Sequence, residues 1–206
     1  MALAPLDIQK MRFNQRMRGF DTTEVACLSH LGPNGYRISL EILGGGYGAG
    51  AGADGCDAVD SPLSNCANVP IEAQDMEYPF YRVVEYGLRE DSGGAGKKRG
   101  GLGLVRKYEI LADDVSFATY GDRFRIAPEG LFGGAPGALA ESYVERGNER
   151  IPLGSKTSFA LKKGDLLVLL TGGGAGYGRP AERAEPDLRR DRDNGLMRAP
   201  FRAAAE

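Results

Sequence analysis

The sequence predicts a mainly β, α+β fold: glycine-rich antiparallel sheets with few short helices. Three observations carry this. Period-two alternation recurs at "YRISLEIL" (36–43), "YRVVEYGLRE" (81–90) and "LGLVRKYEIL" (102–111), and that period marks a strand with two unlike faces. Turn signals separate such stretches, at "GPNG" (32–35), Gly147-Asn148 and Lys163-Gly164. The 31 glycines among 206 residues are about twice the usual share, and they cluster beside the alternating stretches, without the period of collagen.

Taken in order, residues 1–30 differ from the rest. A short basic section runs from Lys10 to Arg18, and Asp21 or Thr22 is a suitable N-cap. Glu24 then falls in the first turn of a short helix through Val25, Cys27 and Leu28, which "GPNG" stops. From Tyr36 a half-buried strand sets Tyr36, Ile38, Leu40 and Ile42 against Arg37, Ser39 and Glu41. A glycine loop follows (44–55), and "NCANVPIEAQD" (65–75) reads as irregular, with Pro70 opposing a helix. The strands at 81–90 and 102–111 flank "DSGGAGKKRGG" as a hairpin with a long connection. A strand at 115–124, a turn-rich stretch at 127–140 and a hairpin at 142–153 come next. Two strands joined at Lys163-Gly164 lead to the glycine loop 172–178. The charged tail holds a helix starting at Pro186 and ending at Asn194-Gly195.

Composition narrows the function. The formal charge of -2 provides no global attraction for nucleic acid or an anionic membrane. Lys97, Lys98, Arg99, Arg106 and Lys107 are locally basic but lack interleaved aromatics, and they read as a solvated hairpin tip. One histidine, His30, limits acid–base and metal chemistry, and no metal site is predicted. Cys27, Cys56 and Cys66 form no C-x-x-C pair; they read as reduced, small buried residues of a cytoplasmic protein. Apolar runs are too short to span a bilayer, and the N-terminus lacks signal-peptide features. Gly50 to Gly55 matches G-x-G-x-x-G, but "CDAVDSPLSN" beyond it has no helical period to face a pyrophosphate.

The longer motifs resemble the hydantoinase B/5-oxoprolinase family. "DSGGAGKKRGGLGLVRKYEIL" is similar to its signature, "GGGYGAGAGADGCDAV" to its glycine-rich stretch and "NCANVPIEAQD" to its N-x-P-x-E segment. "GDRFRIAPEGLFGGAPG" and "LKKGDLLVLLTGGGAGYGRPAERAEPDLRRD" resemble two later motifs, in the family's order. The resemblance covers 31–194 and implies the C-terminal part of a second subunit of ATP-dependent cyclic-amide hydrolases. It also implies that ATP and a divalent metal belong to the missing part or to a hydantoinase A-type partner, with no cofactor bound by this chain. The catalytic Asp/His motifs lie in the earlier part of family members.

Residues 1–25 are similar to the start of DivIVA-family proteins, where an exposed aromatic and an arginine touch membrane. Arg18 stands at the arginine position and Met17 replaces the aromatic, which implies weak membrane contact at most. The division implied is a DivIVA-like appendage (1–30), the hydantoinase B C-terminal region (31–194) and a tail (195–206).

If the chain contributes to hydrolysis, the candidates are polar groups near the glycine loops: Asp54, Asn65, Asn68, Glu72, Asp91, Ser92, Asp122 and Arg123, with Lys98 and Arg99 as phosphate ligands. Amides could hold a developing oxyanion, and arginines a phosphate or carboxylate. Each also has a structural reading, as a turn cap or, for Asp122-Arg123, an internal salt bridge. The expectation is a fragment or subunit inactive alone; the alternatives are an assembly module, a non-functional remnant and a DivIVA-type polarity protein.

Overall fold

The computed structural model describes residues 24–60 and 68–198. Its strands form two antiparallel sheets that pack face to face. The first has the order β2-β1-β5-β8, with β1 Glu24–Gly32, β2 Gly35–Leu43, β5 Val115–Gly121 and β8 Lys156–Leu161. The second has the order β3-β4-β9-β6-β7, with β3 Tyr81–Leu88, β4 Leu104–Ile110, β9 Leu166–Leu170, β6 Glu141–Arg146 and β7 Glu149–Leu153. Between them lie Ala26, Leu28, Phe117 and Leu161 from one sheet and Tyr81, Tyr108, Ile110 and Leu167 from the other. Two short helices, α1 (Ile71–Glu77) and α2 (Glu185–Asp193), flank the sheets.

Two predicted hairpins form, β3–β4 and β6–β7, and a further one that was not predicted joins β1 to β2. β1 and β2 meet at Gly32 and Gly35, where Gly35 takes φ +103°, and β6 and β7 turn at Gly147 (φ +61°). β3 pairs with β4 across the long connection, Leu88 opposite Leu104. β8 and β9 follow one another at Gly164 but join different sheets, so this link is a crossover.

Several expectations fail. Residues 24–32 form a strand instead of a helix, because pairing with both β2 and β5 outweighs the local capping signal. Pro70 precedes α1 as its N-cap, where a missing N–H costs nothing. The alternation in β2 is inverted: Ser39 is buried and Glu41 half-buried facing the second sheet, while Tyr36, Ile38, Leu40 and Ile42 face outward. Arg99 and Arg106 are no solvated tip, being 3% and 2% exposed. Cys56 is exposed and Cys27 half-buried, and Cys66 lies outside the described residues.

The glycine loops pack on one another. Backbone segments 44–49, 93–103, 130–138 and 172–178 run side by side and exchange hydrogen bonds: Gly46 N–H to Gly172 O (3.0 Å), Gly101 N–H to Tyr47 O (2.8 Å), Gly174 N–H to Gly101 O (2.8 Å), Gly94 N–H to Gly174 O (2.8 Å) and Gly176 N–H to Ala135 O (2.9 Å). Close approach is the reason for glycine here. A Cβ on Gly174 would lie 1.9 Å from the Tyr47 carbonyl oxygen, and one on Gly46 1.9 Å from that of Gly101. This backbone bundle continues from the ends of β2, β4 and β9 and forms a second core made almost without side chains.

Candidate functional site

Two buried polar clusters stand out. The first ties the tail to the glycine bundle. Arg183 donates to both Asp54 oxygens (2.8 and 3.0 Å) and to Asp191 Oδ2 (2.6 Å). Arg99 donates to Asp57 Oδ1 (2.9 Å), and its backbone N–H reaches Asp54 Oδ1 (2.8 Å). Burial works against the Asp54 charge, but Arg183 and the Arg99 N–H outweigh it and hold this carboxyl below the ordinary range. Burial likewise opposes the Arg183 charge, and Asp54 and Asp191 overcome it, pushing the guanidinium up.

The second cluster lies between the sheets. Arg106 shares the inward face of β4 with Leu104, Tyr108 and Ile110. Its Nη2 donates to Glu41 (2.6 Å) and to the Gln74 carbonyl. Tyr108 and Gln74 also donate to Glu41, and Ser39 and Tyr81 share a hydrogen bond of 2.8 Å. The guanidinium carbon stands 4.4 Å from the Tyr86 ring centre. Burial drives the Tyr108 and Tyr81 phenols well above their ordinary value, so both act as hydrogen-bonding hydroxyls. The need to partner Arg106 explains the inversion of β2: a buried guanidinium requires a carboxylate opposite it. This cluster borders a cavity of about 360 Å³, lined further by Asn68, Val69 and Tyr78. The paired Glu41 and the two phenols thus hold one another and Arg106 in fixed positions.

The candidates from the sequence scatter across these features. Asp54 and Arg99 meet in the first cluster, and Lys98 lies beside it, its Nζ 3.6 Å from Asp187. Ser92 closes the long β3–β4 connection: its hydroxyl donates to Arg89 O (2.6 Å) and accepts from Gly103 N–H (2.9 Å). Asp91, at φ +57°, accepts from the Arg198 N–H (2.9 Å). Asn68 accepts from the Tyr86 hydroxyl (2.9 Å) at the rim of the cavity. Glu72 is exposed in the first turn of α1. Asp122 is exposed and Arg123, at φ +64°, half-buried, its carbonyl accepting from Ala140 N–H (2.9 Å). Asn65, Met17 and Arg18 lie outside the described residues.

Sequence reasoning missed Glu41, Gln74, Tyr108, Asp57, Arg183 and Asp191, and read Arg106 as surface charge. For Arg106 a signal existed: it falls in phase with Leu104, Tyr108 and Ile110. Among the described residues, no group of three or more His, Cys, Asp or Glu side chains could hold a metal ion. No helix among them is long and apolar enough to cross a membrane.

Comparison with known proteins decides the family. The family model described as hydantoinase B/oxoprolinase matches residues 9–180. The chain belongs to the hydantoinase B/oxoprolinase family. The match takes in most of the segment that resembles DivIVA. An uncharacterized protein of Methanocaldococcus jannaschii is 46% identical over 143 residues, covering 69% of this chain and 25% of that protein. A protein of Pseudomonas sp., named as the B-type component of a D-/L-hydantoinase, is 35% identical over 177 residues, covering 84% of this chain and 29% of its own length. Among solved structures, nucleotide-free acetone carboxylase superposes with a TM-score of 0.71 at 19% identity, over 87% of this chain and 28% of that one. That likeness shows the shared fold. The chain therefore spans between a quarter and three tenths of each of these three proteins.

Proposed function

We propose that the chain is the C-terminal module of a hydantoinase B-type subunit in an ATP-dependent cyclic-amide hydrolase of the N-methylhydantoinase/5-oxoprolinase type. It turns over substrate only together with the rest of that subunit and a hydantoinase A-type partner. One observation carries the reading: the side chains best suited to chemistry have internal partners. Asp54 and Arg99 brace the bundle, Ser92 closes a loop and Glu41 neutralises Arg106. Such groups supply a rigid scaffold beside a site that other segments complete. On this reading ATP and a divalent metal are held by the rest of the subunit or by the hydantoinase A-type partner.

The test is ATP-dependent hydrolysis of 5-oxoproline and hydantoin by the purified chain, alone and mixed with a hydantoinase A-type subunit plus the remaining part of hydantoinase B. Turnover is expected only on mixing. Turnover by the chain alone overturns the proposal, and an aggregated, inactive chain favours a gene remnant.

A second reading, an assembly module that docks without contributing to turnover, is favoured by the apolar outer face of the first sheet, where Leu40 is 62% exposed. A DivIVA-type membrane role rests on residues 1–25 and draws no support from a family match that starts at residue 9.

A further inference from the structure

The outer face of the first sheet is built like an interior. Cross-strand register places Tyr36, Ile38, Leu40 and Ile42 of β2 beside Leu31, Ser29, Cys27 and Val25 of β1. The same face continues through Ser116, Ala118 and Tyr120 of β5 to Ala160, Ser158 and Lys156 of β8. Lys156 is the one charge in these four strands' outward rows, at the far edge, where its Nζ stands 4.5 Å from the Tyr120 ring centre. Leu31 is 73% exposed, and Tyr36, Ile38 and Leu40 each exceed half. With Ile42 and Tyr120 they present on the order of 600 Å² of apolar side chain, at the upper end of what a monomer leaves open. A groove of about 380 Å³ along β5 and β8, floored by small residues such as Ala118, Ser158 and Ala160, completes the surface.

β2 therefore has polar side chains facing the inter-sheet layer and apolar ones facing water. That pattern fits a strand covered on both sides: Arg106 dictates the inner face, and an apolar layer suits the outer one. The relatives are three to four times the length of the segment matched, so proteins of this family carry the additional chain that such a layer needs.

We propose that this face is an interface that seats the remaining part of a hydantoinase B-type polypeptide, through an apolar surface poor in charge. This deepens the proposed function, since it names the surface by which the module joins its subunit. A second copy of the chain is the competing occupant.

The test is hydroxyl-radical footprinting of two intact proteins, this full chain and the full-length Pseudomonas relative, read by mass spectrometry. Side chains aligned with Tyr36, Ile38 and Leu40 should label at least tenfold less in the long protein than in this chain. Equal labelling overturns the proposal. Sedimentation of this chain and of its Ile38→Lys/Leu40→Lys variant separates the occupants. Both should sediment as monomers with unchanged circular dichroism; a wild-type dimer that the variant abolishes assigns the face to a second copy and overturns the proposal. Neither readout uses turnover. Protection without turnover on mixing removes the catalytic proposal and keeps the interface; turnover with equal labelling does the reverse.

Discussion

The glycine bundle makes a sharp prediction, Gly174→Ala. The added methyl carbon would sit 1.9 Å from Tyr47 O and 2.2 Å from Tyr47 C, both backbone atoms. A carbon needs about 3.3 Å from a carbonyl oxygen, so one segment must retreat by more than about 1 Å. Gly174 N–H bonds Gly101 O and Gly174 O accepts from Gly94 N–H, both at 2.8 Å, and a retreat of that size lengthens them past useful range. Two donors and two acceptors then lie buried without partners, at ~1–3 kcal/mol each, so the loss is at least ~4 kcal/mol. Against a total stability of roughly 5–15 kcal/mol, the variant is largely unfolded or close to it. Gly154→Ala is the control. Nothing lies within 4 Å of its added carbon and its φ is ordinary, so it should be neutral or stabilising by ~0.4–1 kcal/mol. Urea unfolding followed by circular dichroism compares the two midpoints. Matching midpoints for Gly174→Ala and wild type at equal slope would refute the close-approach argument.

Three further outcomes follow from the buried charges. Glu24 lies 1% exposed between the sheets, accepting from Thr119 (2.8 Å) and Ser142 (2.9 Å), and burial raises its carboxyl from 4.5 to about 7. The folded protein then holds a proton that the unfolded chain releases above about 4.5, so stability falls as pH rises from there through 7, by up to ~3 kcal/mol. Glu24→Gln should flatten that slope in melts taken from pH 4 to 8, and an unchanged slope would locate the titration elsewhere. Arg183→Ala removes the guanidinium that bridges Asp54 and Asp191, leaving Arg190 3.2 Å from Asp54 and Arg99 3.5 Å from Asp191, and should cost up to ~3–5 kcal/mol, read by chemical denaturation; a loss below about 1 kcal/mol would mean that these arginines and water replace it. Arg106→Met alone should cost a similar ~3–5 kcal/mol by stranding Glu41. Adding Glu41→Leu should recover part of it, and strict additivity in that double-mutant cycle would contradict direct coupling.

By itself, the sequence determined the mainly antiparallel architecture, the turn at Gly32–Gly35, the hairpin at Gly147-Asn148, the tail helix and the family, because turn chemistry, period and long motifs are local properties of the chain. It also placed the glycine loops beside the strands. Only the tertiary structure decided what those loops do, since close approach is a relation between segments such as Tyr47 and Gly174 that lie far apart in sequence. It also decided which face of β2 points inward. Alternation gives two faces but not their direction; Arg106, 65 residues from Glu41, reverses the usual choice by demanding a carboxylate inside. For the same reason Asp54, Arg183 and Asp191 become one cluster only when α2 docks on the bundle. Residues 24–32 went from a predicted helix to a strand because two neighbouring strands, on either side, supply the backbone partners that a short capped helix cannot match.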